Sequence, residues 1–448
     1  MTIVHKLAST KPKKPMKKTR QSTEEFLIQG AAGKRRAATA EDTEKARKVL
    51  AKKFPDILAG RKFTDAAMEK VRGEKTFSAM AVRVDPDGAK EPVMDHLVDA
   101  ARELARVCGK TAGFWGVLEG GILGAVLPGK PKSKAVKAAD SLRKKVRARH
   151  RGSVSVGVAV YPTADYTRPE ILQNTLKALD HAEFFGPDQS VVFDAVSLNV
   201  SGDKLYQEGD LEGAMAEYER ALVLDPKETN VINSLGVCHA VKGDYGRAME
   251  CFIQAKKLDK KDVMAPYNMG MIHLLAGRAK EALKLLAEAE AIEPGVFEVL
   301  LATGRAHLAK GDAATAREWL QKAVDASPTS WAGHKHLADC LVELGELKEA
   351  ARSYERVLRI HPNDAPSLSA LAEVYDRLGE NPDIALSFSR QSVELEPDNG
   401  LFRFRLGMLY EKQGGYARAL SHYLAAQELG HPCAEAIEKI KGRVLPEN

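Results

Sequence analysis

A chain of 448 residues with 44% apolar content is too long for one ordinary domain and apolar enough to pack two or three. Its net charge of +6 is uneven: residues 1–62 hold 17 Lys/Arg against 6 Asp/Glu, a balance of +11 that leaves −5 for the rest. No run of 18 apolar residues occurs and no apolar stretch follows the basic N-terminus, so neither a membrane-spanning helix nor a secretory leader is expected; five scattered cysteines (Cys108, Cys238, Cys251, Cys340, Cys433) without a Cys-x-x-Cys pair speak against a disulfide or zinc framework and for reduced thiols in a cytoplasmic protein.

Residues 1–20 contain Lys11-Pro-Lys-Lys-Pro-Met-Lys-Lys-Thr-Arg20 and no acid, which predicts a disordered basic tail. Such a tail suits an anionic partner: nucleic acid, lipid or an acidic protein. No aromatic residue interleaves with the charges, so base stacking is not supported. Residues 21–75 read as a helical linker region. Ser22-Thr23-Glu24-Glu25 offers a cap, Glu41 to Leu50 has helix-forming composition, and Gly60 and Gly73 bound a short helix around Thr64 to Val71.

From residue 76 the pattern changes. Phe77 to Asp85 reads as a strand and Met94 to Cys108 as an amphipathic helix, with Leu97, Ala101, Leu104 and Val107 on one stripe. Phe114 to Leu118 and Ile122 to Leu127 flank Glu119-Gly120-Gly121, which suggests a hairpin. A basic helix (Ser133 to His150), a strand (Val154 to Tyr161), a helix (Pro169 to Phe185) and a last strand (Ser190 to Phe193) follow. The order β-α-β-β-α-β-α-β implies an α/β sandwich over residues 76–194.

The rest is periodic. Glycine recurs at 209, 243, 277, 311 and 345, and alanine at 214, 248, 282, 316 and 350. Pro226, Lys260, Pro294, Pro328 and Pro362 mark unit ends, and after one inserted residue near Pro382 the register resumes with Gly414, Ala419, Tyr423 and Ala426. This gives seven units over 195–432, then a capping helix and tail over 433–448. Each unit is expected to be two antiparallel helices that meet at the alanine, with the glycine in the turn between them. The larger residue four after the alanine (Tyr218, Phe252, Leu286, Leu320, Tyr354, Tyr423) is expected to fill the gap between units. No unit buries its face alone; stacking supplies the core.

This period with these residue types resembles the tetratricopeptide repeat. The resemblance implies an all-α solenoid, a right-handed superhelix whose first helices line a concave groove for protein segments. The matching groove positions are Asn199, Asp203, Asn233, Tyr267, Met271, Leu301, Arg305, Lys335 and Asp339, with an apolar, Met-rich centre. Family members that clamp a C-terminal carboxylate use Lys and Asn across the first repeats, and only Asn199 and Asn233 match. His239, His273 and His307 recur at the unit spacing, where the family usually has tyrosine. Helices pack ~8–10 Å apart, too far for imidazoles to share a zinc ion with bonds of ~2.0–2.1 Å, so these histidines read as packing residues.

Residues 76–194 resemble, in degenerate form, the GGDEF domain of diguanylate cyclases. Asp85-Pro-Asp87-Gly-Ala-Lys90 is similar to its D-x-D-x-F-K motif, and Ser155-Val-Gly157-Val-Ala159-Val-Tyr-Pro162 to its S-x-G-x-A-x-x-P strand. Ala178-Leu179, Ala182, Gly186 and Val191-Val192-Phe193-Asp194 are similar to its last helix and strand. The departures fall on the chemistry. Cyclising GTP needs carboxylates that hold divalent metal, yet the hairpin reads Glu119-Gly120-Gly121-Ile122-Leu123. The guanine-contacting segment is shortened between Lys90 and Met94, and the Arg-x-x-Asp product motif is missing. Glu183 stands where the resemblance expects a phosphate-binding lysine, and Asp85 remains as a lone metal-ligand candidate. The expectation is no catalytic residue, cofactor or metal: a cytoplasmic scaffold or adaptor of bacterial signalling. Its repeats bind proteins, and its GGDEF-like domain serves as a positioning or homodimerisation module. The alternative is a regulator that responds to GTP or cyclic di-guanosine monophosphate through that domain.

Overall fold

The structure is a computed structural model that describes residues 40–85, 94–149 and 152–444. The basic tail, the cap at Ser22 to Glu25 and the Asp87 to Lys90 part of the first motif lie outside the described residues. The chain forms two compact units, residues 1–260 and 261–448. Among the described residues no helix is long and apolar enough to cross a membrane.

The first unit begins with α1 (Ala40–Ala51) and α2 (Gly60–Lys70). Then come β1 (Phe77–Val84), α3 (Met94–Thr111), β2 (Phe114–Val117), β3 (Leu123–Pro128), α4 (Lys132–Arg149), β4 (Val154–Tyr161), α5 (Arg168–Glu183) and β5 (Ser190–Val192). A single 3-10 turn, Glu119–Gly121, joins β2 to β3, and Gly120 and Gly121 take positive φ there. The sheet order is β2-β3-β1-β4-β5, antiparallel except for the β4–β5 edge pair.

Strand periodicity of two sorts the side chains onto two faces. Met80, Val82, Leu123, Ala125, Leu127, Val154, Val156 and Val158 face one way and pack with α1, α3 and α4. Phe77, Ala79, Ala81, Val126 and Ala159 face the other way and pack with α2 and α5.

That second core does not stop at α5. Two helical repeats follow in the same unit: α6 (Ala195–Glu208) with α7 (Leu211–Leu224), and α8 (Thr229–Val241) with α9 (Tyr245–Leu258). Leu198, Ala214, Met215, Tyr218, Ala221, Val231 and Leu235 belong to the same buried cluster as Phe77, Ile171 and Leu179. Lys177 pairs with Glu217 at 2.7 Å and Glu170 with Arg220 at 2.7 Å, tying α5 to α7. The boundary expected at 194/195 therefore runs through continuous apolar packing. The physical reason is the short link: Phe193 still bonds β4, and Asp194 already caps α6. No flexible segment intervenes to let the sheet and the repeats part.

The second unit holds five more repeats. They are α10 (Met264–Leu275) with α11 (Ala279–Ile292), α12 (Phe297–Ala309) with α13 (Ala313–Ala326), α14 (Trp331–Glu343) with α15 (Leu347–Ile360), α16 (Ala365–Leu378) with α17 (Pro382–Leu395), and α18 (Gly400–Lys412) with α19 (Tyr416–Glu428). Helix α20 (Ala434–Val444) follows, with Ile437 and Ile440 buried and Glu435, Glu438, Lys439 and Lys441 exposed.

Every first helix of the seven repeats ends in the same way. Gly209 sits at φ 87°, its N–H donating to Tyr206 and that of Asp210 to Leu205. This is the Schellman arrangement, which needs a left-handed residue at the glycine. Gly379 (φ 69°) keeps the spacing in the sixth repeat, and the inserted residue follows it: Asn381, left-handed at φ 51°, just before Pro382.

The large residue four after the alanine packs against the first helix of its own unit, and in the first repeat Tyr218 also bonds Ser234 of the next, the between-unit role that was expected. The Tyr218 ring lies on Gly202, so that a Cβ there would come within 2.4 Å of it; Phe252 lies likewise on Gly236, Leu286 on Gly270, Leu320 on Gly304 and Tyr423 on Gly407.

Because one core serves both sheet and repeats, Leu198→Ala should cost about 2–5 kcal/mol. It should speed hydrogen exchange in β1 and α7 together. Loss of protection in α7 alone would mean that the two layers are independent.

Candidate functional site

The residues expected in the groove separate into two sets. In the first unit, Asn199, Asp203 and Asn233 are all buried. Tyr218 donates its hydroxyl to Asp203 Oδ1 at 2.7 Å, and Asn199 Nδ2 donates to Oδ2 at 3.2 Å. Burial pushes the Asp203 carboxyl up to about 7, although hydrogen bonds from Tyr218 and Ser234 pull the other way. These side chains hold α6, α7 and α8 together; they do not face a partner.

In the second unit, Tyr267 and Met271 are also buried, and Leu301 packs against the cluster around Leu320 and Leu337. The apolar, Met-rich centre is therefore largely packed into the repeats.

Charged residues of the first helices form ion pairs from one repeat to the next. Lys335 Nζ pairs with Asp364 Oδ2 at 3.0 Å, joining α14 to the start of α16. Arg405 of α18 pairs with Glu373 and bonds Ser369 Oγ at 3.2 Å, both on α16. Lys412 reaches Asp376 at 2.5 Å. Burial alone would raise Asp364, but bonds from Ser367 and the charge of Lys335 outweigh it and hold the carboxyl below its usual range. Beside this row, Tyr354 donates to Asp339 Oδ1 at 2.5 Å, and burial raises the Asp339 carboxyl against that bond. His336 keeps 30% of its side-chain surface. Even so, the surrounding protein, then Arg305 and Lys335, keep its imidazole well below the usual range.

Sequence reasoning missed Glu373, Leu401, Arg405 and Met408. Leu401, Arg405, Met408 and Lys412 share one helical stripe, with Leu401 and Met408 exposed by 40% and 37%. Two signals could have found part of this set: Glu373 lies one 34-residue period after Asp339, and Met408 one period plus the insertion after that.

The sheet's lone metal-ligand candidate is already occupied. Asp85 accepts from Ser153 Oγ (2.7 Å), Ser155 Oγ (2.7 Å) and the Asp188 backbone N–H (2.8 Å). Glu183 faces Arg83 at 3.5 Å. Of the three recurring histidines, His239 is buried and His307 Nδ1 lies 3.3 Å from Asp312 Oδ2. Burial lowers the imidazole of His239 and, with Arg278, that of His273.

Asp203 gives a pH signature. Its folded pKa of about 7 exceeds its ordinary value of 3.8, so the folded state holds a proton that the unfolded state releases between these values. Stability of the first unit should fall as pH rises across that window and level off above it. Asp203→Asn should flatten the fall, measured as the urea midpoint by Trp115 fluorescence with Trp319 and Trp331 changed to Phe. An unchanged slope would place the titration elsewhere.

Comparison with known proteins gives the repeats a family. The tetratricopeptide repeat pattern matches residues 202–241, 267–331, 307–375 and 369–431. Protein CTR9 homolog of Arabidopsis thaliana is 34% identical over 73 residues, which is 16% of this chain and 7% of that protein. The match thus spans a small part of that relative's length. Among solved structures, the Cut9–Hcn1 hetero-tetramer of APC/C is similar at 20% identity and a TM-score of 0.45, over 48% of this chain and 42% of the other. PilF of Pseudomonas aeruginosa is similar at 22% identity and 0.43, over 47% of this chain and 95% of the other. The helical pairs of this chain are tetratricopeptide repeats.

Proposed function

We propose that the protein is a non-catalytic cytoplasmic scaffold that holds a segment of a partner protein on the first helices of its second unit. Proteins built of tetratricopeptide repeats generally mediate protein–protein interactions. The observation that carries the reading is the accessible stripe on α18, where exposed Leu401 and Met408 alternate with Arg405 and Lys412 beside the ion-paired row on α14 and α16. Apolar anchors rimmed by fixed charges suit a peptide or helix that carries both apolar and charged groups. In this reading the sheet domain is a degenerate GGDEF-like fold that positions the first repeats. The strand order and the engagement of Asp85 by three donors support a structural role over a metal-binding one.

A photo-crosslinking residue at Leu401 or Met408 of the full chain should capture one and the same protein. The same residue at Ile360 or Ile384, exposed on second helices, should not. Capture from the second helices alone would reject the site. Calorimetry with GTP, Mg²⁺ and cyclic di-guanosine monophosphate should show no binding; micromolar affinity or any turnover would overturn the non-catalytic reading.

A further inference from the structure

We infer that the α18 stripe takes an acidic amphipathic helix of the partner, one that sets a side-chain carboxylate between two apolar residues. The inference rests on the binding face proposed above and names what fits it. Leu401, Arg405, Met408 and Lys412 follow one another at intervals of four, three and four residues, so they lie in one row along the helix. Leu401 and Met408 are exposed by 40% and 37%. The row contains no acid.

Arg405 sits at the middle of the row and is held in place from α16. Its guanidinium pairs with Glu373 and bonds Ser369 Oγ at 3.2 Å. A guanidinium has more N–H donors than these bonds use, and the side chain keeps 24% of its surface. A fixed, part-exposed guanidinium favours a carboxylate, which can meet its donors in pairs. Holding it in advance lowers the entropy cost of binding. Lys412 adds a second cation to the row; it reaches Asp376 yet keeps 56% of its side-chain surface.

Spacing selects the form of the partner. Seven helical residues advance about 10.5 Å, which sets the distance between the two apolar seats. A helix laid along α18 repeats that distance between its own residues i and i+7, and its residue i+3 or i+4 meets Arg405 from the same face. An extended segment covers the distance in about three residues, but side chains three apart in a strand fall on opposite faces. A basic helix fits less well: Glu373 and Asp376 already hold cations, and its own charge would face Arg405 and Lys412.

The test is a selection on the full chain with Lys13, Lys14, Lys17 and Lys18 changed to Gln, so that the basic tail does not recruit acids. Random peptides are displayed at the N-terminus of a phage coat protein, which leaves them no free C-terminus. They are first depleted on the same chain carrying Leu401→Asp and Met408→Asp. Survivors should carry apolar residues at i and i+7 with Asp or Glu at i+3 or i+4. A synthetic survivor, amidated at its C-terminus, should gain helical circular dichroism on binding. Arg405→Gln should weaken it about tenfold. Gln in place of the peptide's acid should do the same, and both changes together should cost little more than either. The change on the peptide keeps the contact testable should Arg405→Gln unfold. Survivors without an acid, or losses that simply add, would overturn the inference and leave the binding face standing. No survivor at all would remove the face and the inference together.

Discussion

The two helices of a repeat approach so closely that the first can carry no more than a one-carbon side chain where the second lays down its ring or leucine. At Gly202 an added Cβ would fall 2.4 Å from the Tyr218 ring, and at Gly304 2.5 Å from Leu320. In the fifth repeat Ala338 takes the same place opposite Tyr354, and both are buried. This contact fixes how each first helix is rotated, and hence which of its residues face out. It also dictates the polar chemistry of the face. Where the packing residue is tyrosine its hydroxyl must be satisfied, and an acid stands on the first helix to receive it: Asp203 for Tyr218, Asp339 for Tyr354, Glu411 for Tyr423. Where it is Phe252, Leu286 or Leu320, the residues in the place of Asp203 are Val237, Met271 and Arg305. Part of the charge on this face is therefore a consequence of packing, and only the remainder is available to a partner.

The same economy governs the sheet. Buried on both faces, it has one face closed by α3 and α4 and the other closed by α2, α5 and then the first repeats. A solenoid needs a capping layer at its end. Here α5 supplies it, with Lys177 and Glu170 meeting Glu217 and Arg220 across the seam. The sheet and the first two repeats thus share one compact unit, and the buried cluster runs from one layer into the other.

How much of this was legible follows from the range of each interaction. Element order and most boundaries were, since Val154 to Tyr161 alternates at the strand period and Gly209 to Gly345 recur at the repeat period. The inserted residue was also placed, because a register shift is a local event. The burial of several groove candidates was not. Asp203 and Met271 occupy positions that spacing alone marks as facing a partner, yet their exposure depends on what neighbouring helices carry. The Asp203–Tyr218 and Asp339–Tyr354 pairs share one 15-residue spacing that would have exposed the structural role of both acids. No such regularity announces Lys335–Asp364 or Arg405–Glu373, which join residues of different repeats without a recurring partner.

Asp85 shows what holds a buried carboxylate in place. A buried carboxylate is costly unless its lone pairs are filled, and either a cation or hydrogen-bond donors can fill them. Here two serine hydroxyls from the β4 end and the Asp188 amide do so, and Asp188 in turn receives Arg143 and Arg147. The chain Asp85–Asp188–Arg143 therefore stitches β1 and the turn before β5 to helix α4. A cation at Asp85 would have to displace three bonds that hold this end of the sheet together. That cost falls on the fold. The geometry therefore gives Asp85 a structural role, as the link between the sheet and helix α4.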